Sequence, residues 1–233
     1  MDTLHTVAAR WGFELSQAQL EQFTHYAHLL TTANQQLNLT RITDPHAMIV
    51  RHFLDSLVCA RYWGAVPQRL ADIGSGAGFP GIPLKILHPT LKLTLVESIG
   101  KKAAFLRNTA AALGLHDVTV LDERAEAIGQ LIAHREQYDV VTARAVAELR
   151  VLVEYCLPLC RIGGRMLAPK GAAPEVEVTA ASDAIALLGG APARIVPIEL
   201  ADDVVRTLVV IEKHASTPAH LPRKVGLPAR RPL

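Results

Sequence analysis

The chain is poor in cysteine, with only Cys59, Cys156 and Cys160 among 233 residues. So small and odd a number argues against a disulfide framework. Cys156 and Cys160 stand one helical turn apart in a segment otherwise rich in Leu and Val, without the further ligands a zinc site would need. They read as core residues. Long apolar runs are missing as well. The longest stretch free of Asp, Glu, Lys and Arg, from Gln22 to Thr40, is interspersed with His, Asn, Gln and Thr, which excludes a membrane span. No basic lead into an apolar core opens the chain at Met1-Asp2-Thr3, so no secretory signal is expected. These absences predict a soluble, cytoplasmic protein with no membrane partner. Acidic residues are absent from Lys213 to Leu233, where five basic residues occur. Because the net charge of the whole chain is only +2, the remainder is mildly acidic. A basic tail on an acidic body suggests contact with a polyanion.

What is present fits a folded globule. Half the residues are apolar and a fifth are charged, which excludes a disordered or low-complexity chain. The length predicts one domain with an appendage. The expected division is a helical extension over 1–63, an α/β domain over 64–213 and a basic tail over 214–233 packed on or extending from that domain, in a monomer. Leu15, Leu20, Phe23, Leu29, Leu30 and Leu37 recur at roughly helical spacing, with Ser16 as N-cap and Asn38 near the end. A second helix is expected from Asp44 to about Tyr62, with Asp44 as cap and Pro45 in its first turn. Ile49, Phe53, Leu57 and Cys59 or Ala60 would form its inner face.

From Arg69 the rhythm changes. Short β-type runs at Arg69–Ile73, Lys92–Glu97, Asp117–Leu121, Tyr138–Thr142 and Gly164–Pro169 alternate with helical segments near 81–88, 100–113, 124–135 and 145–161. Such alternation predicts a doubly wound parallel sheet, covered on both faces and joined by right-handed crossovers. After a helical stretch at 173–189 come Ala193–Glu199 and Arg206–Glu212. The linker Leu200-Ala201-Asp202-Asp203 is too short for a helical crossover, so this pair should form an antiparallel hairpin at one end of a seven-stranded sheet.

The strongest local signal is Leu70-Ala71-Asp72-Ile73-Gly74-Ser75-Gly76-Ala77-Gly78-Phe79-Pro80-Gly81. A strand enters a glycine turn that opens a helix, the arrangement that lets backbone approach a nucleotide-like ligand. The dinucleotide fingerprint is not met, because its third glycine would fall on Phe79, and no Gly-Lys-Ser/Thr follows to make a phosphate loop. Glu97 closes the second strand, 19 residues beyond Gly78, where a carboxylate accepts hydrogen bonds from ribose hydroxyls. The Asp122-Glu123-Arg124-Ala125-Glu126 loop after the third strand can flank an adenine. An adenosine site on a sheet ending in a hairpin points to S-adenosylmethionine, with Asp72 available to its cationic groups, and hence to a Rossmann-like class I S-adenosylmethionine-dependent methyltransferase.

Methyl transfer is an in-line displacement governed by positioning. Devices for the harder acceptors are absent. No cysteine follows the fourth or fifth strand to attack a pyrimidine, and Thr142-Ala143-Arg144-Ala145-Val146 has neither the prolines nor the aromatic used for exocyclic amines. An acceptor with a free lone pair, such as guanine N7, needs neither. Arg144, at the end of the fourth strand, could fork onto guanine O6, pair with an RNA phosphate, hold the cofactor carboxylate, or merely bridge to Glu148. Lys170 is a second candidate at the same rim. Arg41, Arg51 and His52 are weaker ones. A small-molecule methyltransferase, a catalytically silent RNA-binding or assembly protein and a nicotinamide-dependent oxidoreductase remain as alternatives.

The chain resembles the RsmG/GidB family of bacterial 16S rRNA guanine-N7 methyltransferases. The likeness rests on Asn38-Leu39-Thr40, Arg51 through Leu57, Asp72 through Pro83, Ser98 with Lys101-Lys102 and Phe105-Leu106, Arg124-Ala125-Glu126, Thr142 through Ala145, Leu167 with Lys170-Gly171, and Pro222 through Pro228. It runs from about residue 34 to the end. The resemblance implies methylation of one guanine, position 527 in 16S numbering, within the small ribosomal subunit or its assembly intermediate. It also implies that Gly74, Phe79, Ala125, Glu126 and Arg144 contact S-adenosylmethionine, with Glu97 at the ribose. The cofactor set is then Asp72, Gly74, Gly76, Gly78, Phe79, Glu97, Ala125, Glu126 and Arg144. The expected RNA contacts are Arg41, Arg51, His52, Lys101, Lys170, Arg223 and Lys224. No metal is expected.

Overall fold

The computed structural model describes residues 1–201 and 204–233. Asp202 and Asp203, in the expected hairpin linker, lie outside the described residues. The strands are β1 (Arg69–Ile73), β2 (Lys92–Val96), β3 (Val118–Leu121), β4 (Tyr138–Ala143), β5 (Cys160–Lys170), β6 (Arg194–Glu199) and β7 (Val205–Glu212). They form one sheet in the order β3-β2-β1-β4-β5-β7-β6. The first five pair in parallel, and β7 lies antiparallel between β5 and β6. The sheet is the one the alternation of runs predicts. Leu70 through Ile73 are all buried, as befits a parallel strand covered on both faces. The chain leaves β1 for β2 on one side and later returns to β4 on the other. A crevice therefore opens at the carboxyl ends of β1 and β4, where such sheets bind ligands.

The N-terminal segment supplies one wall of that crevice. Helix Gln17–Leu37 begins at a capping box, in which Ser16 Oγ accepts from the Gln19 N–H and the Gln19 side chain accepts from the Ser16 N–H. It ends at Asn38, whose φ of +48° is left-handed. The next helical run starts as expected, with Asp44 Oδ1 accepting from the Ala47 N–H at 2.7 Å and Pro45 in the first turn. It then departs from regularity: Ile49–Leu54 winds as a π-helix before Asp55–Leu57 returns to α and Val58–Arg61 tightens to 3-10. A π-turn rotates the following residues relative to an α-helix. Here both polar and apolar side chains turn inward, and His52, Asp55 and Ser56 are buried along with Phe53 and Leu57. Phe23, Tyr26, Phe53 and Phe79 stack in one cluster with centroids 5.1–6.2 Å apart, so the extension shares its core with the sheet.

Three helical expectations need correction. Of 124–135 only Ala125–Ile128 is helical. Beyond it Arg135 gathers the carbonyls of Gly129, Thr217, Pro218 and Leu221, which holds this segment as turns rather than helix. The segment 145–161 contributes only Leu149–Cys156, because Ala145 adopts a φ of +57° and no helix runs through it. The stretch 173–189 is two short helices, Glu175–Ala180 and Ser182–Leu187. Cys160 consequently starts β5 instead of sharing a helix with Cys156, although both are buried and free. No helix among the described residues is long and apolar enough to cross a membrane.

Candidate active site

From β1 the chain passes into Gly74-Ser75-Gly76-Ala77-Gly78, where the glycines have φ of +66°, +58° and +102°. At Gly78 a side chain is excluded on two counts. The φ is left-handed, and a Cβ would lie 2.5 Å from Ile82 Cδ1 and 2.8 Å from the Tyr26 hydroxyl. That hydroxyl donates to the Ala77 carbonyl at 2.6 Å, pinning the turn to the N-terminal wall. Asp72 holds the turn from below, its Oδ2 accepting from the Gly81 N–H at 3.0 Å. Its carboxyl is fully buried and does not border the cavity. The geometry therefore makes Asp72 a strut for the loop instead of a partner for a cationic ligand. Burial pushes its pKa up to about 7, against the lowering influence of the Gly81 N–H and of Arg144.

Glu97, just past β2, does border the cavity. Its Oε2 accepts from the Gly76 N–H at 2.9 Å and its Oε1 from the Ile99 N–H at 2.8 Å. The same carboxylate thus holds the residue that leads into the helix Gly100–Ala112 and braces the glycine turn. Each oxygen keeps a lone pair for a hydroxyl.

Arg144 follows β4 and reaches the N-terminal wall. Its Nη1 donates to Asp55 Oδ2 at 2.8 Å and to the Arg51 carbonyl at 3.0 Å, while Nη2 lies 3.1 Å from His52 Nδ1. The guanidinium sits 4.8 Å from the Phe79 ring centre, and the His52 ring stacks on that ring at 4.4 Å. Glu148, weighed as its partner, pairs with Arg150. Burial and the adjacent guanidinium push the His52 pKa down to about 3. The imidazole is therefore neutral; the Arg144 donor facing Nδ1 assigns the ring proton to Nε2, 2.7 Å from Thr40 Oγ1.

These groups enclose a cavity of about 690 Å³ that extends from Glu97 at β2 to Arg206 on β7. Gly74, Gly76, Phe79, Arg144 and Lys170 all border it. A small adjoining cleft of about 60 Å³ shares Gly74, Ser98 and Val146 and is bounded by Ala125 and Glu126. Gly78 and Asp72 lie behind this surface. Of the residues expected to meet RNA, Arg41 and Lys101 are exposed away from the cavity wall, Arg51 and His52 belong to it, and Lys170 stands at its rim. Lys170 pairs with Glu177 at 2.7 Å and donates to the Ala147 carbonyl at 3.2 Å. Lys224 is exposed. Arg223 is turned inward, with Nε and Nη2 on the buried carboxylate of Glu154, Nη2 at 2.6 Å. The expectation that its charge faces RNA is corrected by that ion pair.

Sequence reasoning assigned no role to Thr40, Asp55, Lys102 or Arg206, which also border the cavity. Asp55 Oδ1 is buried without a hydrogen bond, 3.6 Å from Arg206 Nε. For Asp55 a signal existed: it follows His52 by three residues in an otherwise apolar helical face. For Arg206 there was none, since only the pairing of β7 with β5 brings it to the crevice. Among the described residues no cluster of His, Cys, Asp and Glu could hold a metal ion.

A family model described as rRNA small subunit methyltransferase G (GidB) matches residues 19–205. The chain is 60% identical over 233 residues, all of both chains, to a ribosomal RNA small subunit methyltransferase G of Roseiflexus castenholzii. It is 46% identical over 227 residues, 95% of this chain and 94% of the other, to the protein of that name from Halalkalibacterium halodurans. Among solved structures it resembles cofactor-bound Rv0187 from MTB (TM-score 0.58, 16% identity, 84% and 91% of the two chains). It also resembles a SAM-dependent O-methyltransferase from Thermotoga maritima (TM-score 0.54, 16% identity, 81% and 72%). These two likenesses concern the fold.

Proposed function

The chain belongs to the rRNA small subunit methyltransferase G family, and from that premise we propose that it methylates N7 of a single guanine in 16S rRNA, with S-adenosylmethionine as donor. The observation that carries the proposal is the cavity itself, which joins a glycine turn and a ribose-type carboxylate at one end to guanidinium and ammonium groups at the other. When bound, S-adenosylmethionine would supply a methyl group on a sulfonium: the in-plane lone pair of N7 attacks the methyl carbon and the thioether leaves as S-adenosylhomocysteine, with no covalent or general-base catalyst needed. The residues fit such a ligand: a Cβ at Gly76 would meet nothing closer than 3.8 Å, so the turn presents bare backbone.

In this reading the chain's own groups bind and orient. Glu97 accepts from the ribose hydroxyls. Ala125 and Glu126 border the cleft for the adenine. Arg144 retains its Nε–H and one Nη2–H for the cofactor's carboxylate, while Asp55, His52 and the Arg51 carbonyl hold it still. Arg206, Lys170 and the Asp55 oxygen that faces Arg206 Nε at 3.6 Å form the end that receives the base. A carboxylate there favours the purine as it becomes cationic on methylation. Exposed Arg41, Lys101 and Lys224 meet phosphates. A small ribosomal subunit or its assembly intermediate is the expected substrate form, and a cytoplasmic monomer the expected agent.

The test is transfer of labelled methyl groups into naked 16S rRNA, an assembly intermediate and the assembled subunit. Digestion should yield 7-methylguanosine from one of the three. Label on another base atom removes the N7 assignment, and cofactor binding without any transfer favours a silent assembly protein.

A further inference from the structure

The segment Pro222–Pro228 lies beyond the residues the family model matches and lines no part of the main cavity, and its charge suggests contact with RNA. Its contacts point elsewhere. Arg223 is clamped to Glu154 by both its side chain and its backbone N–H, the latter at 2.8 Å from Oε1. Gln130 donates to the Pro222 carbonyl at 2.7 Å, and Arg135 to that of Leu221 at 2.6 Å. Three residues beyond Arg223 the chain turns at Gly226, φ +79°, and the Gly226 N–H donates to Glu126 Oε1 at 2.8 Å. Glu126 is only 4% exposed, and its other oxygen accepts no hydrogen bond among the described residues. The same side chain forms part of the wall of both the tail cleft and the small cleft beside Gly74.

We propose that the tail is a clasp that positions Glu126, so that the Gly226 N–H fixes one carboxylate oxygen and aims the other at the exocyclic amine of the bound adenine. Gly226 is thus a positioning residue for cofactor selectivity. The proposal rests on the cofactor reading given above. Its physical content is orientation: a carboxylate with one oxygen held by a backbone donor loses rotational freedom before the ligand arrives. Glycine suits the position because the turn is left-handed, and a Cβ there would meet nothing within 4 Å.

The experiment measures dissociation constants of the full-length protein for S-adenosylhomocysteine and S-inosylhomocysteine, which carries an oxo group in place of the amine. The wild type should prefer the adenosyl ligand by about 10-fold, the worth of one charge-assisted hydrogen bond. Gly226→Pro removes the N–H and, with φ fixed at about −65°, also displaces the turn, and should abolish most of that preference, whereas Gly226→Ala keeps the N–H at the cost of a strained left-handed φ and should retain the larger part of it. Arg223→Lys, a milder change that keeps the ion pair without the fork, should lower the preference about 3-fold. A merely structural tail would weaken both ligands equally, and that result, or an undiminished preference in Gly226→Pro and Arg223→Lys, overturns the clasp. Failure of the wild type to bind either ligand would instead overturn the cofactor reading, and the clasp with it.

Discussion

The N-terminal helical run and the C-terminal tail both carry charges that composition would turn toward RNA, and the structure uses the two sets differently. In the N-terminal run, His52 and Asp55 face the cavity and grip Arg144, whose guanidinium remains in the wall of a site open to a ligand. In the tail, Lys213 is fully buried and donates to the carbonyls of Leu157 and Leu188, and Arg223 closes on Glu154. Only Lys224, Arg230 and Arg231 of the five tail cations are exposed. The first set shapes the wall of a cavity; the second replaces apolar packing with ionic and hydrogen-bonded ties. Formal charge alone does not distinguish these uses, because a cation's role depends on whether an acceptor is folded against it.

Removing one partner on each side puts this contrast to its severest test. Arg223→Met strands the Glu154 carboxylate, itself 0% exposed, and should cost about 3–5 kcal/mol in urea unfolding. Asp55→Asn leaves two guanidiniums that can still reach the cavity, and should cost about 1–2 kcal/mol while methyl transfer falls sharply. Equal stability losses with equal activity losses would erase the distinction. Next in size is Gly78→Ala, where a left-handed φ combines with a Cβ pressed against Ile82 and Tyr26. A loss of about 1–3 kcal/mol is expected, together with weakened cofactor binding, because the N-terminal wall and the turn would separate. Calorimetric titration and thermal unfolding on one sample check both.

Arg144→Lys keeps the charge but loses the planar fork shared by Asp55, Arg51 and His52. The cofactor dissociation constant should rise about 10-fold. An unchanged constant would detach Arg144 from the cofactor and leave it as a brace for the wall.

The pH dependence of stability sharpens the comparison between the loop and the wall. Asp72, raised to about 7, binds a proton in the folded state between about pH 4 and 7 that it lacks when unfolded, so its contribution declines as pH rises through that window. His52, lowered to about 3, does the reverse: the unfolded chain holds the extra proton from about pH 3 to 6.5, and its contribution grows with pH. The two oppose each other near pH 5. Asp72→Asn should therefore show a steeper rise of thermal midpoint with pH than the wild type between pH 4 and 6. Parallel curves would mean that Asp72 is ionised in the folded protein. The smallest effect belongs to Lys224→Ala, which should reduce the salt slope of RNA binding by about one unit. An unchanged slope would leave the exposed end of the tail without an RNA role.

Much of the fold was legible because strand and helix write different periods. β1 spans the residues its run predicts, and Ser16 announces the first long helix. That the glycine turn and Glu97 line one crevice was legible because both lie next to strand ends, where sequence position translates directly into place in the crevice. The shortening of 124–135 was not legible. Three of the four carbonyls that hold Arg135 there come from residues more than 80 positions away, and local propensity carries no trace of them. Nor was the π-turn at Ile49–Leu54, whose extra residue per turn leaves the apolar pattern nearly unchanged while turning Asp55 toward Arg144.

The order of residues along the chain determined the strands, the glycine turn, the carboxylate beyond β2 and the family to which the protein belongs. Each depends on neighbours close in sequence, or on a pattern of such neighbourhoods. Tertiary structure alone decided how each charged group is used: Arg223 and Lys213 turned inward, Arg144 held in the cavity wall, Asp72 hidden beneath its own loop. A charge is costly to bury until a partner is packed against it, and that partner is chosen when distant segments meet.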